Sequence, residues 1–311
     1  MSAPARSTTN MPAVEVLTKP DCVVGESPVW RAGESALYWV DIPSRKIHRL
    51  NVETGNIDSW LAREMVACIA FDTEGNLIAG MESGVFSLQL APEGKIVATL
   101  LAAPLFPMQN MRFNDGRCDR QGRFWAGTMH MNMSAAHAVG GLYRYSAADG
   151  LGGPFWSGLL TQNGLAWSPA GDVMYLSDSH PNVRLIWAFD YDQADGSPTN
   201  RRLFVDMNLH PGRPDGAAVD ADGCYWICAN DAGQILRFTP AGKLDRSITL
   251  PVKKPSMCAF GGKNLDTLYI TSIRPQSEQD LADQPLAGAV FSVRPGIQGL
   301  AETEFGALAS M

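Results

Sequence analysis

A polar turn followed by a run of aromatic and branched residues occurs six times along this chain, and self-similarity of that kind is the first thing to explain in any sequence. The copies are Arg31-Ala-Gly-Glu-Ser-Ala-Leu-Tyr-Trp-Val-Asp41, Asp72-Thr-Glu-Gly-Asn-Leu-Ile-Ala-Gly80, Asp119-Arg-Gln-Gly-Arg-Phe-Trp-Ala-Gly127, Ser168-Pro-Ala-Gly-Asp-Val-Met-Tyr-Leu-Ser-Asp178, Asp220-Ala-Asp-Gly-Cys-Tyr-Trp-Ile-Cys-Ala-Asn230 and Gly261-Gly-Lys-Asn-Leu-Asp-Thr-Leu-Tyr-Ile-Thr271. Each opens on turn formers and enters residues that favour strands. A second phrase follows each copy: Lys46-Ile-His-Arg-Leu50, Gly84-Val-Phe-Ser-Leu88, Gly141-Leu-Tyr-Arg-Tyr145, Arg184-Leu-Ile-Trp-Ala-Phe189, Gln234-Ile-Leu-Arg-Phe238 and Ala289-Val-Phe-Ser-Val293. Its rough alternation has the period of a half-buried strand. The copies are spaced by roughly 41 to 52 residues, room for four short antiparallel strands with their turns. Six such units set radially make an all-β, six-bladed β-propeller, which protects its sheet edges by closing a ring. A β-sandwich offers no reason for six matched units. Val14 to Leu17 is expected to supply a strand that closes the ring with the C-terminal blade. No composition shift marks a boundary, so residues 12–311 read as one propeller domain. Residues 1–11 read as a flexible N-terminal tail, polar and without the apolar stretch of a secretion signal.

Composition narrows the function classes. Of 311 residues, 45% are hydrophobic and 18% charged, which excludes intrinsic disorder. The 30 glycines and 20 prolines suit short strands and many loops. A net charge of −7 with no basic cluster beyond Lys253-Lys254 argues against a nucleic-acid partner, which needs a basic face. The longest apolar runs, such as Met65 to Phe71, fall far short of the ~20 residues of a membrane helix. Six scattered cysteines (Cys22, Cys68, Cys118, Cys224, Cys228, Cys258) include no metal-type C-x-x-C pair. Cys224 and Cys228 on one strand would lie ~13 Å apart, beyond the ~7 Å reach of a disulfide. Buried free thiols and a cytoplasmic location are the expectation. No feature marks a subunit interface.

The stretch before each turn phrase also repeats and is expected to be the innermost strand of each blade, lining a central channel. The copies begin Glu26-Ser-Pro-Val-Trp30, Ala67-Cys-Ile-Ala-Phe71, Asp115-Gly-Arg-Cys-Asp119, Asn163-Gly-Leu-Ala-Trp167, Asp215-Gly-Ala-Ala-Val219 and Met257-Cys-Ala-Phe260. Glu26, Asp115, Asn163 and Asp215 thus share a first position that carries carboxylate or amide oxygen. Carboxylates converging on one point repel unless a positive charge sits between them, and such oxygens suit a hard divalent cation. Asn-Gly and Asp-Gly are also ordinary turn signals. Arg112 and Asn114, two apart, point to the same side of a strand and together suit recognition of hydroxyls and carbonyls. Arg112 could equally balance Asp115 or another acid.

Gly25-Glu-Ser-Pro-Val-Trp30, Arg112-Phe-Asn-Asp-Gly116 with Gly127-Thr-Met129, Asn163-Gly-Leu165 and Pro214-Asp-Gly216 together resemble the SMP-30/gluconolactonase family, which includes regucalcin and bacterial sugar lactonases. The resemblance runs over about residues 13 to 300, with the motifs in the family's order. It implies a six-bladed propeller and one divalent metal ion held by Glu26, Asn163 and Asp215, with Ca2+ foremost and Zn2+, Mn2+ or Fe2+ also suited. It further implies that Arg112 and Asn114 contact a sugar lactone. The loop His130-Met-Asn-Met133 offers Asn132 as a further substrate contact where some relatives carry an acid. Asp283-Gln-Pro-Leu-Ala-Gly288 is closer in style to bacterial sugar-acid lactonases than to animal regucalcin.

The expected activity is metal-assisted hydrolysis of an aldonolactone, with Asp215 as general base as well as ligand. The alternatives are a calcium-binding regulatory protein on the same fold and a propeller esterase or phosphotriesterase. Other chemistries lack their motifs: no G-x-S-x-G elbow, no P-loop, and no H-E-x-x-H among His48, His130, His137, His180 and His210. His130 and His180 follow motif strands and could reach the mouth of the site.

Overall fold

The aromatics of the turn phrases meet one another, or those that end the inner-strand phrases, at the joints between blades. In the computed structural model, which describes residues 13–306, Trp30 stacks on Tyr269 with ring centroids 5.3 Å apart, and Tyr38 meets Phe71 edge-on at 4.9 Å. Trp125 lies 6.2 Å from Trp167, Tyr175 lies 5.1 Å from Tyr225, and Trp226 lies 5.8 Å from Phe260. Five of the six joints are made this way. At the remaining joint Phe113 seats directly on Gly80, where an added Cβ would stand 3.1 Å from the Phe113 Cβ. Large rings bury much apolar area for little side-chain freedom lost, so an aromatic per repeat is what a ring of sheets needs.

Six four-stranded antiparallel sheets make up the propeller. Blade one comprises Gly25–Arg31, Ala36–Asp41, Lys46–Asn51 and Ile57–Leu61; blade two, Val66–Phe71, Leu77–Met81, Val85–Ala91 and Lys95–Ala102; blade three, Met111–Cys118, Phe124–His130, Gly140–Ser146 and Gly150–Leu159. Blade four comprises Gln162–Trp167, Val173–Asp178, Leu185–Asp192 and Ser197–Asp206; blade five, Arg213–Val219, Tyr225–Asn230, Gln234–Phe238 and Leu244–Thr249. Blade six takes Pro255–Gly261, Thr267–Ser272 and Phe291–Val293 from the C-terminal region and Val14–Val16 from the N-terminal one. The expected closing strand is therefore present. It ties the two ends of the chain into one sheet, as the outermost strand of that blade. The expected N-terminal tail, 1–11, lies outside the described residues.

Each repeated phrase occupies its expected place: inner strand, second strand, third strand. Consecutive inner strands touch all the way round, and the last returns to the first. All six cysteines are buried and free. No helix among the described residues is long and apolar enough to cross a membrane. The single α-helix among them, Glu278–Asp283, lies between the second and third strands of blade six, with Ser277 capping it through the Asp280 N–H.

Every inner strand carries one extra residue relative to its partner. The pairing slips between Glu26 and Val29, Val66 and Cys68, Phe113 and Gly116, Asn163 and Ala166, Pro214 and Ala217, and Pro255 and Cys258. Such β-bulges bend a strand and re-aim its side chains. They also correct the sequence alignment of the channel residues. Glu26 and Asn163 are the last paired residues before their bulges, as expected of equivalent positions. Asp215 sits one residue further on, inside its bulge, and Asp115 two residues on. The four oxygens therefore do not share one register; the bulge takes up the offset.

Candidate functional site

The bulges are also where the blades are stitched together around one mouth of the channel. Ser256 Oγ donates to the Gly25 carbonyl and Ser27 Oγ accepts from the Ile69 N–H at 2.9 Å. The Asn114 amide donates to the Gln162 carbonyl at 2.7 Å, Ser177 Oγ to the Pro214 carbonyl at 3.2 Å, and Tyr225 Oη to the Gly164 carbonyl at 2.7 Å. Gly164 takes φ +62, and a Cβ there would come within 2.5 Å of Tyr225 Oη. Asn163-Gly164 is thus a bulge that only glycine fits, not the loop turn its dipeptide suggests.

At this stitched mouth Glu26, Asp115 and Asp215 feel one another's charge, and Asn163 occupies the bulge of the fourth blade's inner strand. Asn163 is 3% exposed, and its Oδ1 is buried with no hydrogen-bond partner. Asp115 accepts the Leu165 N–H at 2.8 Å on Oδ2, while its Oδ1 is likewise buried and unpartnered. Asp215 is buried and accepts the Asn230 amide on Oδ2. Glu26, part-buried, accepts only the N–H of Ser27, at 3.1 Å. Burial, then the negative charges of Asp215 and Asp115, push the Glu26 carboxyl well above the usual carboxylate range, with Arg112 opposing. Burial also raises Asp215, against the pull of Arg213 and Asn230. Among the described residues, the three carboxylates do not all come within 4.8 Å of one another. The candidate ligand set uses two of them with the Asn163 amide.

Arg112 and Asn114 do share a side: Arg112 Nη1 donates to Asn114 Oδ1 at 2.8 Å and to the Phe113 carbonyl at 2.7 Å. Burial lowers the Arg112 guanidinium to about 10, so it remains a cation at neutral pH. Asn132 is exposed in the loop after Phe124–His130. His130 and His180 hold that loop: His130 Nδ1 meets the Asn132 carbonyl at 3.2 Å, and His180 Nε2 meets the Met133 carbonyl at 3.0 Å.

Two residues that sequence reasoning missed fix Asp215. Asn230 ends the second strand of blade five. Arg213 Nη2 donates to Asn230 Oδ1 at 3.1 Å while its Nε donates to Asp231 at 2.6 Å. The equivalent strand-end residues Asp41 and Asp178 hold backbone N–H groups instead, those of Val23 and Val24, and of Leu160, Thr161 and His180. The end of the second strand repeats as a polar anchor, and that repetition was the available signal.

A cavity of about 700 Å³ lies toward the opposite mouth, among Trp30, Phe71, Phe260 and residues 301–304. None of the candidate residues lines it. There Arg117 reaches across from blade three to the Ala217 carbonyl of blade five at 2.8 Å and pairs with Glu302 at 3.3 Å.

Fold and mouth together define a six-bladed propeller with buried oxygen donors gathered at one end of its channel. The chain belongs to the SMP-30/gluconolactonase/LRE-like family, whose model, "SMP-30/Gluconolactonase/LRE-like region", matches residues 24–274. It is 38% identical over 285 residues to a 6-deoxy-6-sulfogluconolactonase of Pseudomonas putida, covering 91% of this chain and 95% of that protein. It is 35% identical over 290 residues to regucalcin of Danio rerio, covering 92% and 96%. A calcium-binding protein, regucalcin, of Agrobacterium tumefaciens superposes with a TM-score of 0.87 at 24% identity, covering 94% of this chain and 97% of that one. A gluconolactonase of Xanthomonas campestris superposes at 0.72 and 22% identity, covering 91% and 89%.

Proposed function

We propose that the protein hydrolyses a sugar lactone, an aldonolactone, to the open-chain aldonic acid, using one divalent cation held by Glu26, Asn163 and Asp215. The reading rests on the buried, unpartnered Asn163 oxygen, at the bulge of its inner strand, and on two carboxylates at the bulges of theirs, Glu26 and Asp215, whose proton affinity is raised. A buried acceptor without a donor costs ~1–3 kcal/mol, and buried like charges ask for a counter-charge. A hard cation meets both needs, and an all-oxygen set fits Ca2+, with Mn2+, Zn2+ or Fe2+ as further candidates. The lactonase relative at 38% identity supports the choice of reaction.

When bound, such a cation supplies Lewis-acid polarisation of the lactone carbonyl and stabilises the charge that develops on its oxygen. The protein supplies the rest. Asn230 holds Asp215 Oδ2, leaving Oδ1 to take a proton from the attacking water. The new carbon–oxygen bond forms at the carbonyl carbon, the ring carbon–oxygen bond breaks, and the ring oxygen takes back a proton. Arg112 spends one Nη on Asn114 and the Phe113 carbonyl, which stiffens it and leaves its other N–H groups for ring hydroxyls. Asn114 and Asn132 add polar contacts to the same substrate. An Arg–Asn pair in this place suits a polyhydroxylated ring better than the aryl group of an esterase or phosphotriesterase substrate.

The regucalcin relatives favour a second reading, a calcium-binding regulatory protein that need not turn over substrate. Proton release from a panel of aldonolactones, with and without chelator, separates the two. Hydrolysis that chelation abolishes supports the lactonase reading. Cation binding without acceleration of any lactone supports the second. Asp215→Asn keeps an oxygen ligand and removes the base; cation retained with a rate loss of about 10² to 10⁴ fits the base role, and full activity would sink it.

A further inference from the structure

A second group of metal-type donors, none of them a channel candidate, lies at blade one. The Cys22 sulfur, an Asp41 carboxylate oxygen and a His48 ring nitrogen all lie within 4.8 Å of one another. Cys22 and Asp41 are 5% and 2% exposed, and His48 is part-buried. Each donor is already oriented by a neighbour. Trp39 Nε1 donates to Cys22 Sγ at 3.3 Å, and the Trp39 ring stacks on His48 with centroids 5.1 Å apart. Asp41 is aimed by the N–H groups of Val23 and Val24, each at 3.0 Å, and by Ser44 Oγ at 2.6 Å. A carboxylate has about four acceptor positions, so one remains.

His48 decides the case. Its Nδ1 lies 2.8 Å from Ser59 Oγ, while its Nε2 is buried with no hydrogen-bond partner. A ring that donates Nδ1–H to a neighbour presents a lone pair on Nε2, the arrangement found behind metal-bound histidines. We propose that Cys22, Asp41 and His48 form a second metal site, selective for Zn2+ or a similar borderline-soft ion. Sulfur, imidazole and carboxylate are the ligand types of zinc, and three of them leave a fourth position for water. The channel set has only oxygen and suits a harder ion. On binding, the Cys22 S–H bond breaks, the sulfur–metal bond forms and the proton passes to bulk water. Cys22 lies on the connection between the ring-closing strand and the first inner strand, whereas Asp41 and His48 belong to the second and third strands of blade one. The ion therefore pins the point at which the propeller closes.

Cobalt provides the test, because thiolate bound to Co2+ gives a near-ultraviolet charge-transfer band that oxygen ligands do not. Purified full-length protein is titrated with CoCl2, and zinc content is measured after loading and desalting. We expect the band in the wild type and in Asp215→Ala, and its loss in Cys22→Ser and His48→Gln. Bound zinc should fall by one ion per chain in Cys22→Ser, with lactone hydrolysis unchanged. Absence of the band in the wild type, or a band and zinc content unaltered in Cys22→Ser, would overturn the proposal. His48→Gln keeps the sulfur, so a loss of zinc there separates ligation from damage at Cys22. The outcome is independent of the lactonase reading.

Discussion

The inner strand of blade five carries an aspartate near each end, and the two are treated in opposite ways. Asp220, just past the end of Arg213–Val219, is 0% exposed and fully engaged. Its Oδ1 accepts the N–H groups of Asp222 and Cys224, and its Oδ2 accepts Trp226 Nε1 at 2.7 Å and Arg237 Nε at 2.8 Å. Asp119, the equivalent residue of blade three, is bound in the same manner by Gln121, Arg123, Trp125 and Tyr191. Asp215, at the other mouth, has the Asn230 amide on one oxygen. Its neighbours Glu26, Asp115 and Asn163 are as thinly partnered. Both groups are drawn from the same repeat. A carboxylate surrounded by its own cation and donors is a staple; one held by a single donor beside other acids keeps its remaining acceptors for something that arrives from solution.

The contrast can be broken by mutation at either end. Asp215→Ala removes ligand and base together, and we expect lactone hydrolysis to fall by about 10³-fold or more, roughly 4 kcal/mol of transition-state stabilisation, with little change in melting temperature of the chelated protein. Steady-state assays with and without added cation check this. Asp220→Ala should do the reverse. Arg237 keeps Asp222 and Asp245, but Trp226 Nε1 and the N–H groups of Asp222 and Cys224 lose their acceptor, which costs about 1–3 kcal/mol for each such group left buried and unpaired, while the channel cation still binds. Denaturant melts paired with metal analysis would decide, and equal stability to the wild type would remove the distinction drawn between the mouths.

Arg112→Met keeps the packing and loses the guanidinium; we expect about a 10²-fold drop in kcat/KM, most of it in KM if the group only holds the ring. Removal of the cation gives an effect on stability with a definite sign. In the cation-free folded state the Glu26 and Asp215 carboxyls are raised, so the folded protein retains protons that the unfolded chain releases above about pH 4. The unfolded state then binds fewer protons, and stability falls as pH rises above that point toward the folded values, by up to about 1.4 kcal/mol for each unit of displacement. The depressed surface carboxylates of Asp190, Asp206 and Asp245 are ionised throughout this window and do not offset it. Chelated protein should melt lower at pH 8 than at pH 5, and cation-loaded protein should show a flatter profile. Asn132→Ala removes one exposed polar contact and should lower kcat/KM by a few-fold; no change at all would take Asn132 out of the substrate site.

Much of this was legible because the repeat writes the same physics six times. The inner, second and third strands carry an apolar face each, and their phrases stand out. The outer strands, such as Ile57–Leu61 and Leu244–Thr249, are largely exposed and show no face to read. The bulges were invisible for a different reason. An extra residue exists only relative to a partner strand, so Asp115 and Asp215 looked equivalent to Glu26 until their pairings were known. Asn230 escaped because its role depends on Asp215, across the hairpin.

Chain order and composition alone determined that six similar units would close on themselves, since each repeat supplies a sheet with faces that only a neighbouring repeat can cover. They also determined which side chains could offer oxygen to the channel. Tertiary structure decided which of those oxygens stay open. The pairing of Asp220 with Arg237, and the solitude of Asn163 Oδ1, arise from contacts made after the sheets form and the ring shuts. Local periodicity reports which way a residue faces; only the closed ring reports what it meets there.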